Sequence, residues 1–296
     1  MNRLGVLDPN SLPHFDVLEA LDAESIFDVR MKRFVEVWKE HDPPAGAVYD
    51  VERLEFDPIV ITQQANTYFE LLLRNRVNQA ARSVTLAFAT GGDLDAIASR
   101  YPGGVPRLVD EDDDRYRRRI WLSPSTLSPN GTEESYVFWA LTADRTIHDA
   151  SATTVEGTGR VRIAVMARRD EPRPTRAQLF AVRAFIHARS RKALTDVVSV
   201  TPPTVVETRY VLDVWLAPGA DAQVTFAALR DGLEKQVKEQ AWLGVNHTRM
   251  AIAAVADRVS GVADIAIVEP AESVAVDLTG CVKVTGIVLN PKGRRE

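Results

Sequence analysis

An α+β fold is what this sequence predicts: an amino-terminal helical arm and a long helix, followed by two small α+β modules with mainly antiparallel sheets. Three observations carry it. Apolar residues recur at three- and four-residue spacing through the first 130 positions, strand-like alternation enters only afterwards, and from residue 131 onward helix starts and strand runs alternate at short intervals. With 296 residues, 45% of them hydrophobic and 26% charged, the chain has the balance of a soluble folded protein with room for more than one core. Turns and composition predict an arm over 1–57, a helical region over 58–130, a central α+β domain over 131–203 and a carboxy-terminal α+β domain over 204–296.

Taken in order, residues 22–38 read as one helix, with Phe27, Met31, Phe34 and Trp38 four, three and four positions apart on a single face. The prolines of "HDPPAGAVYD" end it. The next helix starts at Asp57-Pro58, an N-cap acceptor followed by proline in the first turn. Its stripe, Phe69, Leu73, Val77, Ala80, Val84 and Phe88, predicts a run to the pair Gly91-Gly92, roughly 30 residues or about 45 Å. Gly91 is placed to end it in the left-handed conformation. Asp93 is then expected to cap a short helix containing Leu94, Ile97 and Ala98, with Asp95 in its first turn.

"DEDDDRYRRRIWLSP" sets acids before arginines, the order that complements a helix dipole. Arg117, Arg118 and Arg119 point to different sides of such a helix, which predicts a solvated or interface face rather than a phosphate site. Thr132, with Glu133 and Glu134 behind it, caps a further helix. Strands are expected at "TIHDASA" and "RVRIAVMA", then a helix from about Pro174 to Arg191, a strand at "TDVVSV", and a long strand at "VVETRYVLDVWLA". There is an internal echo: the helix headed by Gly131 ends in Ala143-Asp144-Arg145 before a strand, and the one after Gly244 ends in Ala256-Asp257-Arg258 before another.

Several function classes find no support. The amino terminus has no basic stretch followed by an apolar one, and no apolar run approaches a bilayer span, so neither secretion nor membrane insertion is expected. Cys281, the sole cysteine, is expected to be a small buried residue. His14, His41, His148, His187 and His247 lie far apart and fall in no metal-binding frame, and no nucleophile elbow, phosphate loop or dinucleotide fingerprint occurs. No cofactor is expected. Residues 1–57 carry 13 acidic groups against 6 basic ones, which disfavours nucleic acid and suits a basic protein surface.

"LEALDAESI", "ELLLRNRVNQAARSVTLAFATGGDLDAIASRY" with Val105 and Arg107 just after it, "DDRYRRRI", "LTADRTIHDASA", "ALTDVVSV" and "LAPGAD" stand in that order. Together, over about residues 12–270, they resemble the baseplate J family of contractile phage tails and tail-like particles. The resemblance implies a structural wedge protein, not an enzyme, located in the virion tail baseplate and assembled in the host cytoplasm. It implies amino-terminal helices that join another wedge protein in a bundle, here through Phe27, Met31, Phe34 and Trp38. Carboxy-terminal regions would tie neighbouring wedges into a ring, with a second copy of the chain in each wedge and sheath-initiating or hub proteins as further neighbours. The matching residues Arg74, Asn75, Arg76, Asn78, Gly91, Asp93, Leu94, Asp95, Arg107, Arg115 and Asp149 would be structural. The competing readings are a nucleic-acid binder using Arg117–Arg119 and an enzyme using a carboxylate such as Asp95.

Overall fold

A computed structural model describes residues 18–41, 56–101, 103–128, 130–155, 158–188 and 191–295. The predicted break at "HDPPAGAVYD" falls, beyond His41, outside them, as does His14. The chain separates into two compact units, one of residues 7–97 and the other chiefly of residues 98–296.

The first unit is helical. Helix α1 (Ala23–Glu40) is capped by Asp22, whose carboxylate accepts from the Glu24 and Ser25 amides. Helix α2 (Pro58–Ser83) is capped by Asp57, which accepts from Ile59 N at 2.8 Å and Val60 N at 3.2 Å. The two helices pack on each other. Contrary to the sequence expectation, α2 ends at Ser83 and does not run to Gly91. The Ser83 hydroxyl donates to Ala80 O at 2.9 Å and the Thr85 hydroxyl to Ala81 O at 3.3 Å, while Thr85 N turns to Arg82 O. Local hydroxyls thus compete for the carbonyls that would have propagated the helix. Gly91 does adopt the left-handed φ of 52°, but as the first residue of α3 (Gly91–Ala98). Asp93 is therefore inside the first turn rather than ahead of it, and its amide already donates to Thr90 O. Leu94, Ile97 and Ala98 are buried, as expected for the inner face.

In the second unit, α4 (Asp113–Leu122) starts on an Asp112 cap and passes into a 3-10 turn over Ser123–Leu127. Helix α5 (Glu133–Ala143), capped by Thr132, is buried on most sides beyond its acidic first turn, as the apolar run from Tyr136 to Leu141 requires. It packs on α4, on β1 (Asp149–Val155) and on α6 (Arg176–Ile186). The first sheet has the order β1-β2-β3, with β2 (Arg160–Met166) central and β3 (Val197–Thr201) on the far edge. β1 and β2 are antiparallel and β2 and β3 parallel.

The second sheet has the order β5-β4-β6, built from β4 (Thr204–Leu216), β5 (Val262–Glu269) and β6 (Gly280–Arg294). It repeats the mixture, antiparallel to β5 and parallel to β6. Alternate residues of β4, Tyr210, Leu212, Val214 and Leu216, face a core of Leu229 and Leu233 from α7 (Ala222–Gln240) and Ile252 and Ala256 from α8 (Arg249–Asp257). Both modules are α+β, with one parallel pair in each sheet beside the antiparallel pairing. The echo in sequence corresponds to α5–β1 and α8–β5: in each, a helix leads into the antiparallel edge strand. The strand after that edge differs between the modules, since β2 is central in its sheet and β6 is an edge. A small shared core of Ala164, Met166, Leu243 and Cys281 joins the modules.

Candidate functional site

Two groups of residues, one in each unit, bring the sequence-predicted positions together. In the helical unit, Met31 is buried, Phe27 and Phe34 are half-buried, and Trp38 remains 37% exposed with its ring centroid 6.2 Å from that of Phe34. The predicted stripe on α1 is thus partly covered by the chain's own α2. Polar clamps fix that pairing. Asn78 accepts from the Glu19 amide at 3.1 Å and donates to the Glu19 carbonyl at 2.9 Å. Glu70 takes Arg30 from α1 and Arg74 from its own helix, and Arg74 reaches Glu19 at 2.7 Å. Hydrogen bonds from Arg74, then Arg30, hold the Glu70 carboxyl below its usual range. Asn75 and Arg76 are exposed beside them.

The consequence lies on the other side of α2. Ile61, Tyr68, Phe69, Leu72, Leu73 and Val77 are all exposed, forming a broad apolar flank away from α1. The stripe read in sequence from Phe69 to Phe88 is therefore present and faces outward as far as Val84, while Phe88, past the end of α2, is half-buried. Ile61, Tyr68 and Leu72 lie outside that stripe, although their spacing of seven and four carries the same helical signal.

The second group surrounds α4, where the arginine run, expected on a solvated or interface face, is not solvated. Arg117, Arg118 and Arg119 are all buried, Arg119 completely. The Glu111 carboxylate, also fully buried, accepts from Arg119 at 2.6 Å, from the Leu108 amide at 2.9 Å and from Arg115. Arg115 continues to the carbonyls of Leu141, Asp144 and Ile147, satisfying the end of α5. Arg107 bonds Asp113 at 2.7 Å and lies 4.4 Å over the Tyr116 ring, whose hydroxyl donates to Val105 O. Burial lowers the Arg115 and Arg119 pKa values from the ordinary range, opposed by Glu111. Sequence reasoning did not single out Glu111, but Glu111, Arg115 and Arg119 recur every four residues on one side of the turn into α4.

Asp149 completes the joint between the modules. It accepts from Arg118 at 2.6 Å, from its neighbour Ala150 N at 2.8 Å, and from Leu243 N, 94 residues away, at 3.0 Å. Trp242 lies 5.0 Å from the Arg118 guanidinium and 4.5 Å from the His148 ring. Arg169 Nε donates to His148 Nε2 at 3.1 Å, and burial pushes the His148 pKa down to about 4. Burial, with the Asp149 charge, pushes the Cys281 thiol up to about 11, an inert thiol at neutral pH.

The matching residues thus divide. Arg107, Arg115 and Asp149 belong to the α4 network, Arg74 and Asn78 to the α1–α2 clamp, and Gly91, Asp93, Leu94 and Asp95 to α3, where Leu94 is buried and both aspartates are exposed. Among the described residues no group of three or more His, Cys, Asp or Glu is placed to hold a metal ion, and no helix is long and apolar enough to cross a membrane. The charged groups of the α4 network are engaged with one another, which makes it a brace.

Comparison with known proteins agrees with a part built for assembly. Residues 55–114, spanning α2, α3 and the entry to α4, match the model of the baseplate J-like N-terminal domain. Over 288 residues the chain is 30% identical to "Baseplate protein J" of Escherichia phage P2, covering 93% of this chain and 94% of that protein.

Proposed function

The chain belongs to the baseplate J family, and from that premise we propose that it is a structural protein of a contractile-tail baseplate. It acts there as a wedge component, contacts other baseplate proteins and resides in the virion tail after assembly in the host cytoplasm. The observation that supports this best is the outward apolar flank of α2, Ile61 to Val77, on a helix whose inner side is already closed by α1. Full burial of side chains of this kind is worth roughly 1.5 to 3 kcal/mol each before ordering and association costs. The flank, together with the α1 stripe of Phe27, Met31, Phe34 and Trp38 where α2 leaves it uncovered, is assigned to a helical bundle with a second wedge protein. The region after residue 200 is assigned to contacts between neighbouring wedges, with a second copy of the chain in each. The four-part division at 57, 130 and 203 remains a proposal that limited proteolysis of the full chain tests by its cleavage positions.

Co-expression with the neighbouring tail proteins tests the bundle. Full-length protein carrying Phe69→Glu and Leu72→Glu should fold with an unchanged far-UV spectrum and fail to co-purify with its wedge partners. Co-purification at the wild-type level would show that the flank is free in the baseplate. Cross-links in purified particles between copies of the chain, all lying before residue 200, would refute the second assignment.

A further inference from the structure

The basic residues of the central module are concentrated. Residues 160–192 hold ten arginines and lysines but only two carboxylates, Asp170 and Glu171. Those two are taken, Asp170 by Arg168 and Glu171 by Lys283. Helix α6 has no acidic residue, and Arg176, Phe180, Arg183 and His187 recur at spacings of four, three and four, within about 60° of one another around the axis. Val182 and Ile186, on the other side, are fully buried. Phe180 is 73% exposed, and Ala177 and Ala184, one turn before and after it, are exposed too. Arg183 reaches only the Val200 carbonyl, at 3.4 Å, and among the described residues neither it, Arg173 nor Arg176 forms an ion pair.

This ridge contrasts with α4, where each arginine of the run is turned inward onto a protein partner. An aromatic anchor ringed by arginine is the composition that interface centres favour. The flanking alanines let another backbone approach Phe180 closely. The phosphates of a duplex would meet the cations but leave the phenyl ring uncovered, whereas an acidic segment with apolar side chains on one face satisfies both. We propose that the α6 ridge, Arg173, Arg176, Phe180, Arg183 and His187, docks an acidic, apolar-bearing segment of another baseplate protein. It rests on the baseplate assignment but uses a different surface from the α2 flank.

The test places a photo-reactive side chain at the anchor, Phe180→p-benzoylphenylalanine, in the full-length chain within assembled particles. After irradiation, mass spectrometry identifies what is joined to position 180. The expected product is a net-negative segment of a different particle protein. In parallel, Arg176→Glu with Arg183→Glu should lower incorporation of the chain about tenfold or more, while Arg176→Lys with Arg183→Lys stays near wild type, because the charge and not a fork-shaped bond is read. Cross-linking to DNA, to the chain itself, to a second copy, to a neutral or basic segment, or to nothing overturns the proposal. If the chain is missing from wild-type particles, the baseplate assignment fails and the ridge with it. If the chain is present but position 180 stays unlinked, only the ridge falls.

Discussion

Glu111 holds two guanidiniums on a fully buried carboxylate. Its removal leaves Arg115 and Arg119 buried without their counter-charge, the situation in which breaking a buried pair costs about 3 to 5 kcal/mol. Glu111→Ala should therefore destabilise the full chain by that order in chemical denaturation, and a loss below about 1 kcal/mol would show that the arginines find other partners. His148 makes the joint sensitive to acid. Its folded pKa of about 4 lies below the ordinary 6.5, so the unfolded chain takes up the proton first as pH falls. The stabilisation is complete above pH 6.5 and declines toward pH 4, by roughly 3 kcal/mol at about 1.4 per unit. The difference in stability between wild type and His148→Gln should shrink or reverse over that window, and parallel pH curves would refute the assignment.

At the scale of elements, the helix ends separate two kinds of aspartate. Asp57 precedes α2 and accepts from two of its free amides, so Asp57→Ala should cost about 0.5 to 2 kcal/mol. Asp93 sits inside the first turn of α3, where its charge only complements the dipole, and Asp93→Ala should cost about 0.3 to 1 kcal/mol. Melting temperatures of the two variants check the order, and an equal or larger loss at Asp93 would restore it as a cap. The same logic explains α2. Its sequence is apolar on more than one side: one side closes on α1, and the other is the exposed flank proposed above to meet a partner.

At the scale of the whole molecule, the two α+β modules are held by specific contacts, among them the shared core around Cys281 and the reach of Asp149 from β1 to the backbone after α7. Arg118 sets the Asp149 carboxylate, and Trp242 lies against the guanidinium beside it. Asp149→Asn keeps the shape but weakens this charge-assisted acceptor. Hydrogen exchange at the Leu243 amide should accelerate in that variant while amides in the centre of β4 keep their protection. Unchanged protection at Leu243 would mean that packing alone holds the modules together.

The sequence by itself determined the α+β class, the caps at Asp57 and Thr132, the apolar faces of the helices and the family, because these depend on local chemistry and on ordered motifs. It could not tell which apolar face is closed within the chain: the α1 stripe is partly covered by α2, and the α2 stripe faces out. It missed the end of α2 at Ser83, where the competing hydroxyls of Ser83 and Thr85 interrupt an otherwise helical pattern. It also left α7 and β6 unread, since β6 carries Gly286, Pro291 and Gly293 and takes its place as a strand from parallel pairing with β4. The inward turn of Arg117, Arg118 and Arg119 was decided only in three dimensions. An arginine is buried where a carboxylate and free carbonyls converge on it: Glu111 stands at four-residue spacing from Arg115 and Arg119, but Asp149 and the end of α5 are brought there by packing, over separations that no local pattern records.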